Sequence, residues 1–292
     1  MPTTLTHTLP PNSEWRFEVS SSQTITVTLL SGTAELFGTE LAPSQPYSFT
    51  LQKSSIFTFH GCRLSITGPL TSEYVAEETP MTSYANLHFA LDNQRQTLPD
   101  GLRVMIIGPR DSGKTSLAKI LTAYAIKAGR QPLVVNTDPK EGVLSLPGSL
   151  TATAMGGGLL DVQEGGGWGS SPTSGPSSVP VKLPLVYYWG GGKVEDEREG
   201  EGYRRVTARL AVAVGARLRE DREAREGGVI VDTPGGISQG GTGYEIVAHL
   251  VAEFDGESRE DRRGVSLGRY RKGLMCGCSQ CAHRTGLGTV IQ

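Results

Sequence analysis

The chain has 292 residues, 37% hydrophobic and 20% charged, a globular balance with room for about two domains. Its 28 basic and 30 acidic residues leave a formal charge of −2, which excludes a global basic field for nucleic acid or membrane surfaces. Residues 1–14 lack the basic start and apolar core of a secretory signal, and the longest apolar stretch, near 206–216, is broken by Arg209 and too short for a membrane span.

Residues 15–75 alternate apolar and polar positions in short runs, at 24–29, 34–37, 47–51 and 55–59. Gly32, Gly38, Pro43, Pro46 and Gly61 separate them, a pattern that predicts a small antiparallel β-sandwich or barrel over residues 1–83. A mixed segment, helical over 84–96, then links it through residues 84–101 to a different pattern. Residues 102–107 form an apolar run of the kind buried on both faces of a parallel sheet. After a glycine-rich turn, apolar positions 117, 120, 121, 124 and 125 fit a helix that Gly129 stops, and residues 133–136 read as a second strand. This is a βαβ unit, so residues 102–254 are expected to form an α/β domain.

Residues 156–192 hold eleven glycines and predict a long loop with one strand-like piece at 185–189. An amphipathic helix follows over 195–226, with Val206, Leu210, Val214 and Leu218 on one face. A third strand, Val229-Ile230-Val231, ends in Asp232.

Gly108-Pro109-Arg110-Asp111-Ser112-Gly113-Lys114-Thr115 fits G-x-x-x-x-G-K-[ST], the phosphate-binding loop. Its glycines let successive N–H groups turn toward a phosphate, and the helix that it opens adds its dipole. Lys114 supplies a point charge for the β/γ-phosphates, and the Thr115 hydroxyl is a ligand for Mg²⁺. Asp138 and Asp232 follow the second and third strands, where open parallel sheets collect ligands. A carboxylate there can hold Mg²⁺ directly or through water, or orient a nucleophile.

These motifs together resemble the ATP-binding, polynucleotide 5′-hydroxyl-kinase-like subunit of the pre-mRNA cleavage and polyadenylation machinery, in its fungal form. The likeness rests on Glu14-Trp15-Arg16-Phe17-Glu18, Leu36-Phe37-Gly38-Thr39-Glu40-Leu41 and Phe57-Thr58-Phe59-His60-Gly61-Cys62. It continues through the phosphate loop to Ser116, Asn136-Thr137-Asp138-Pro139, the stretch Trp168 to Pro176, and Asp232-Thr233-Pro234-Gly235-Gly236.

The resemblance implies an α/β P-loop NTPase domain, a parallel sheet with flanking helices, preceded by a small all-β domain that touches the adenine of ATP. Adenine contacts carry over to Glu14 and Lys53, which by residue type alone read as solvated surface charges. Asp111, Ser112, Gly113, Lys114, Thr115 and Ser116 map onto the ATP loop, with Mg²⁺ at Thr115 and Asp232. Asp138 matches the residue that activates an RNA 5′-hydroxyl in active kinases of the family, with Lys114 as phosphate clamp. Trp168 is either a base-stacking or a packing residue.

The implied function is an ATP-binding component of the nuclear complex that cleaves pre-mRNA before polyadenylation. Its expected partner is the scaffold subunit that contacts the RNA polymerase II tail. The alternative is an active RNA 5′-hydroxyl kinase, acting on RNA 5′ ends.

The likeness stops near Phe254, whereas family members run on through more strands, a lid and a C-terminal domain. Residues 255–292 show little apolar periodicity and read as a disordered tail, an alternative terminus or sequence from another reading frame. A sheet lacking its later strands would expose an edge, so the chain alone is expected to be unstable or to aggregate. Four potential zinc donors, Cys276, Cys278, Cys281 and His283, crowd this tail. Structural zinc sites spread two ligand pairs over more chain, which leaves an unpatterned tail as the better reading. Three of the four cysteines clustered here make no disulfide framework and point to a reducing compartment.

Overall fold

The computed structural model describes residues 4–98, 100–158, 160–173, 183–191, 193–194, 196–236, 241–255, 273–276, 282–285 and 289–291. They form two compact units that do not follow chain order. The first comprises Met1–Ala90, Lys119–Tyr124 and Gly158–Val181; the second comprises Leu91–Ala118, Ala125–Gly157 and Lys182–Gln292.

The first unit is built on the alternating segment. Its strands are β1 (Thr4–Leu9), β2 (Ser13–Gly32), β3 (Glu35–Leu36), β4 (Thr39–Glu40), β5 (Pro46–Thr58), β6 (Cys62–Thr67) and β7 (Ser72–Ala76). They run in the order β1-β6-β2-β5-β3-β4, with β7 also on β2. The 20-residue β2 organises the ladder. It pairs with β5 along one side, and on the other with β7 in its first half and β6 in its second. A register shift between Val19 and Thr24 bends it.

Alternation then turns Trp15, Phe17, Val19, Ile25, Val27 and Leu29 inward, each 4% exposed or less. Trp15 stacks on Phe17 with ring centroids 4.4 Å apart, and Phe49 packs beyond it. Phe57, Met81, Ile120 and Tyr124 make a second, smaller core in this unit. Tyr124 anchors it by donating to Glu35 Oε1 at 2.5 Å.

The second unit takes most of the α/β segment, with helix α1 (Met81–Thr97) shared between the units. Its elements are β8 (Arg103–Ile106), α2 (Lys114–Lys127), β9 (Leu133–Asn136), β10 (Ser149–Ala154), β11 (Leu185–Tyr188), α3 (Glu197–Glu220), α4 (Arg222–Gly227), β12 (Val229–Asp232) and α5 (Gly241–Phe254). β9, β12 and β8 are adjacent and parallel, as the apolar runs predict. Met105, Val135, Val229 and Val231 face a core shared with Tyr203, Leu210 and Val214 of α3 and Leu250 of α5. Val104, Val134 and Ile230 alternate with them and are buried as well, at 2% exposure or less.

Several elements differ from the expectation. The single helix expected over 195–226 is two, because Asp221 leaves helical geometry (φ −109°, ψ 106°) and caps α4 by accepting from the Ala224 amide. β1, β10 and α5 carry weaker periodicity and appear only in the fold. Part of the expected loop over 156–192 is ordered: Val162 joins the sandwich core, and residues 164–167 form a turn of 3₁₀ helix.

Residues 273–291, expected as a tail without pattern, contribute β13 (Gly273–Cys276), β14 (Ala282–Thr285) and β15 (Thr289–Ile291). β15 pairs in parallel with β8, occupying the edge that the sequence reading left open. The tail's apolar and β-branched runs, 274–276 and 289–291, are the segments that supply the new strands. Its remaining residues, including Cys278 and Cys281, lie outside the described residues.

Candidate nucleotide-binding site

The parallel register sets the site. Asp232 of β12 stands opposite Ile106 of β8 and Asn136 of β9, so three strands end at one level. Side chains just past those ends lock them together. The Thr233 hydroxyl donates to the Ile106 carbonyl at 2.7 Å, and the Thr137 hydroxyl donates to the Asp232 carbonyl at 2.7 Å. Tyr203, fully buried on α3, donates to the Thr137 carbonyl at 2.8 Å. The sequence reading missed these three, although Thr137 and Thr233 flank the acidic residues it chose.

The loop from Gly108 to Thr115 leaves β8 and turns into α2. It needs two residues in the left-handed region: Asp111 at φ +59° and Gly113 at φ +82°. Ser112 Oγ and Lys114 Nζ both donate to the Pro109 carbonyl, at 2.9 and 2.7 Å. Lys114 thus reaches back across the loop, with its ammonium held beside the turn. Leu117 N donates to Gly113 O at 2.9 Å, so α2 begins at the loop and its first amide groups are left for a ligand. Ser116 sits in that first turn, and Asp111 is exposed on the loop.

The loop following β12 presses against this one. Pro109 and Gly236 form a bridge, and a Cβ on Gly235 would lie 2.6 Å from Arg110 Cα. Only glycine lets the two backbones approach so closely.

Thr115 Oγ1 donates to Asp232 Oδ2 at 2.6 Å. The other carboxylate oxygen, Oδ1, is buried and has no hydrogen-bond partner among the described residues. Burial pushes the Asp232 carboxyl up to about 6, opposed by the Thr115 hydrogen bond and the Lys114 charge and reinforced by Asp138 and Glu141. An orphaned carboxylate oxygen beside a threonine hydroxyl offers the oxygen ligands that a hard divalent cation takes. Residues Thr115 and Asp232 therefore fit Mg²⁺.

Asp138 is half-buried just beyond β9, in a turn where Oδ1 accepts from the Lys140 amide at 2.9 Å. Its own amide donates to Asn136 Oδ1 at 3.0 Å. The fold therefore gathers Lys114, Thr115, Asp138 and Asp232 at one end of the sheet.

Glu14 and Lys53 belong to the other unit. Glu14 is not a solvated charge: it is 6% exposed, with Arg16 Nε donating to Oε1 and the Thr79 hydroxyl to Oε2. Lys53 is exposed, 3.1 Å from Glu18 Oε2. Trp168 packs: it is 3% exposed, 5.9 Å from Lys119 Nζ, whose ammonium is tied to the Gly166 carbonyl at 2.6 Å. Among the described residues no cluster of His, Cys, Asp and Glu could hold a metal ion on its own.

Comparison with known proteins agrees with this architecture. A family described as the N-terminal beta-sandwich domain of polyadenylation factor matches residues 8–98. A second, the mRNA cleavage and polyadenylation factor CLP1 P-loop, matches residues 108–257 and ends three residues past Phe254. The mRNA cleavage and polyadenylation factor clp1 of Botryotinia fuckeliana is 58% identical over 252 residues, covering 85% of this chain and 53% of that protein. The Aspergillus niger factor of the same name is 58% identical over 253 residues, covering 84% and 50%.

A solved structure of the extended interface between Pcf11p and Clp1p, which also addresses ATP loss in a glycine-to-arginine mutant, superposes with a TM-score of 0.78. It is 32% identical, over 86% of this chain and 60% of that one. A wild-type Clp1p–Pcf11p complex gives the same score at 33% identity, over 86% and 58%. The chain spans about half the length of the curated relatives it matches. With a β-sandwich and a phosphate-loop domain that both match in order, the chain belongs to the Clp1 family of mRNA cleavage and polyadenylation factors.

Proposed function

We propose that this chain binds ATP with Mg²⁺ as a component of the nuclear complex that cleaves pre-mRNA before polyadenylation. Its partner there is the scaffold subunit that contacts the RNA polymerase II tail, in line with the Clp1p–Pcf11p complexes it resembles. The observation that carries the ATP reading is the Asp232 carboxylate: its Oδ2 accepts from the Thr115 hydroxyl at the head of the phosphate loop at 2.6 Å, while its Oδ1 is buried without a partner among the described residues.

In this reading the amides of residues 113–116 face the phosphates, Lys114 leaves the Pro109 carbonyl for the β/γ-phosphates, and Thr115 and Asp232 hold the cation. Mg²⁺, when bound, neutralises phosphate charge. Asp111, Ser112 and Ser116 complete the loop, and Glu14 and Lys53 contact the adenine.

Calorimetry with Mg-ATP tests it. Lys114→Ala is expected to weaken binding about 10–100-fold, the value of a charged hydrogen bond. Asp232→Asn should lose the Mg²⁺-dependent part and match the native chain when EDTA is present. A native chain that binds no ATP overturns the reading.

A second reading, an RNA 5′-hydroxyl kinase, is favoured by Asp138. Its half-buried carboxylate lies close enough to Asp232 to raise it, at the end of the sheet where a 5′-hydroxyl would meet the γ-phosphate. Transfer of labelled γ-phosphate to 5′-hydroxyl RNA, lost in Asp138→Asn and in Lys114→Ala, would establish it. Binding without transfer would leave ATP as a structural ligand of a scaffold.

A further inference from the structure

Thr137 ties two carboxylates together. It follows Asn136 at the end of β9, is fully buried, and has each of its polar groups engaged. Its amide donates to the Asp232 carbonyl at 2.9 Å, and its hydroxyl donates to the same oxygen at 2.7 Å. Its carbonyl accepts from the Tyr203 hydroxyl at 2.8 Å. Asp138 is joined to it covalently, so this one residue sets the spacing between Asp138 and Asp232. All of these residues lie in the second unit.

The peptide group between Thr137 and Asp138 is pinned at both of its polar atoms. Tyr203 holds its carbonyl oxygen, and its N–H donates to Asn136 Oδ1 at 3.0 Å. The group is planar, so turning it strains both hydrogen bonds at once. Asn136 Nδ2 also donates to the Asp138 carbonyl at 2.9 Å, which holds Asp138 from its other side.

Tyr203 reaches this point from the core face of α3. It packs with Leu210 and Val214, and its ring meets the Trp189 ring edge-to-face, with centroids 5.7 Å apart. Phenylalanine would satisfy that packing. A buried phenol costs desolvation unless its hydroxyl is bonded, so the hydroxyl here marks a contact that the fold uses. Its effect falls on the metal. Mg²⁺ demands near-ideal octahedral geometry and tolerates little displacement of its ligands, whereas Ca²⁺ accepts a larger and more flexible shell.

We infer that Tyr203, acting through Thr137, is a positioning residue that fixes the spacing of Asp232 and Asp138 for Mg²⁺. The inference rests on the ATP and cation reading above and adds what makes that site selective for the metal.

Calorimetry of the full chain with ATP, in Mg²⁺, in Ca²⁺ and in EDTA, tests it. Tyr203→Phe keeps the ring and its packing. It is expected to weaken Mg-ATP about five- to tenfold, the value of one hydrogen bond, and to leave Ca-ATP and metal-free ATP within about twofold. Thr137→Val removes the hydroxyl that holds Asp232 and should lower the Mg²⁺-to-Ca²⁺ preference in the same direction. Thr137→Ser keeps that hydroxyl and should restore the native preference, so the test stands even where Tyr203→Phe folds poorly.

Equal weakening in Mg²⁺, Ca²⁺ and EDTA would mean a structural role and would overturn the inference. Unchanged Mg-ATP affinity in both Tyr203→Phe and Thr137→Val would overturn it as well, and would spare the ATP reading. A native chain that binds ATP equally with Mg²⁺ and with EDTA removes the cation reading and this inference with it.

Discussion

Asp92, on α1, accepts from Arg130 Nε at 2.6 Å and so ties that helix to the turn that follows α2. Both side chains are about four-fifths buried. Burial alone would raise the Asp92 carboxyl, but the hydrogen bond and charge of Arg130, with Arg95 beyond it, outweigh that and hold it below the ordinary value of 3.8. Arg95 is pulled down to about 10, first by its own burial and then by the Arg130 charge, so the carboxylate serves two arginines.

A depressed carboxyl stabilises the fold above its unfolded value, and that contribution disappears as pH falls through 3.8 toward the folded value. Asp92→Asn should therefore cost about 1 kcal/mol near pH 7. Urea unfolding at a series of pH values should show the variant and the native chain converging below about pH 4. A gap that persists unchanged there would assign the loss to packing.

At the scale of elements, α3 shows how one helix is divided between core and solvent. Tyr203, Thr207, Leu210, Val214 and Leu218 recur at helical spacing and are buried, whereas Val212 is 61% exposed. Leu210→Ala should destabilise by about 2–4 kcal/mol, the transfer and cavity cost of a buried leucine. Val212→Ala should fall within about 0.5 kcal/mol of the native chain. Comparable losses in denaturant melts of both would mean that α3 is not seated as described.

The same contrast explains what could be read beforehand. β8, β9 and β12 are buried on both faces, so they are written as unbroken apolar runs and were legible almost to the residue. β10 reads Ser149-Leu150-Thr151-Ala152-Thr153-Ala154, and its fully buried Thr151 is satisfied by the Val143 carbonyl at 2.8 Å, a partner no periodicity reveals. α5 begins Gly241-Thr242-Gly243, which conceals a helix start. At the site, Lys114 and Asp232 were legible through motif and strand end. The burial of Glu14 was not, because it depends on Thr79, 65 residues away.

The whole molecule does not divide as its sequence does. Helix α2 gives Lys119–Tyr124 to the sandwich unit and its other residues to the α/β unit. Ile120 and Tyr124 pack with Phe57 and Met81, while Ala118 and Ala125 are counted with the sheet. Neither unit can unfold completely with this helix intact, and Lys114, at its first turn, carries the proposed ligand.

Heating should therefore give one cooperative transition rather than two. Ligand that binds only the folded chain adds RT ln(1 + [L]/Kd), about 2.7 kcal/mol at a hundredfold excess over Kd. For a chain of this size that raises the midpoint by roughly 5–10 °C. Calorimetric scans with and without Mg-ATP should show the single peak moving as a whole, and Lys114→Ala should cut the shift to about half or less at the same ligand concentration. Two peaks, only one of them moved by Mg-ATP, would show that the units melt separately despite the helix they share.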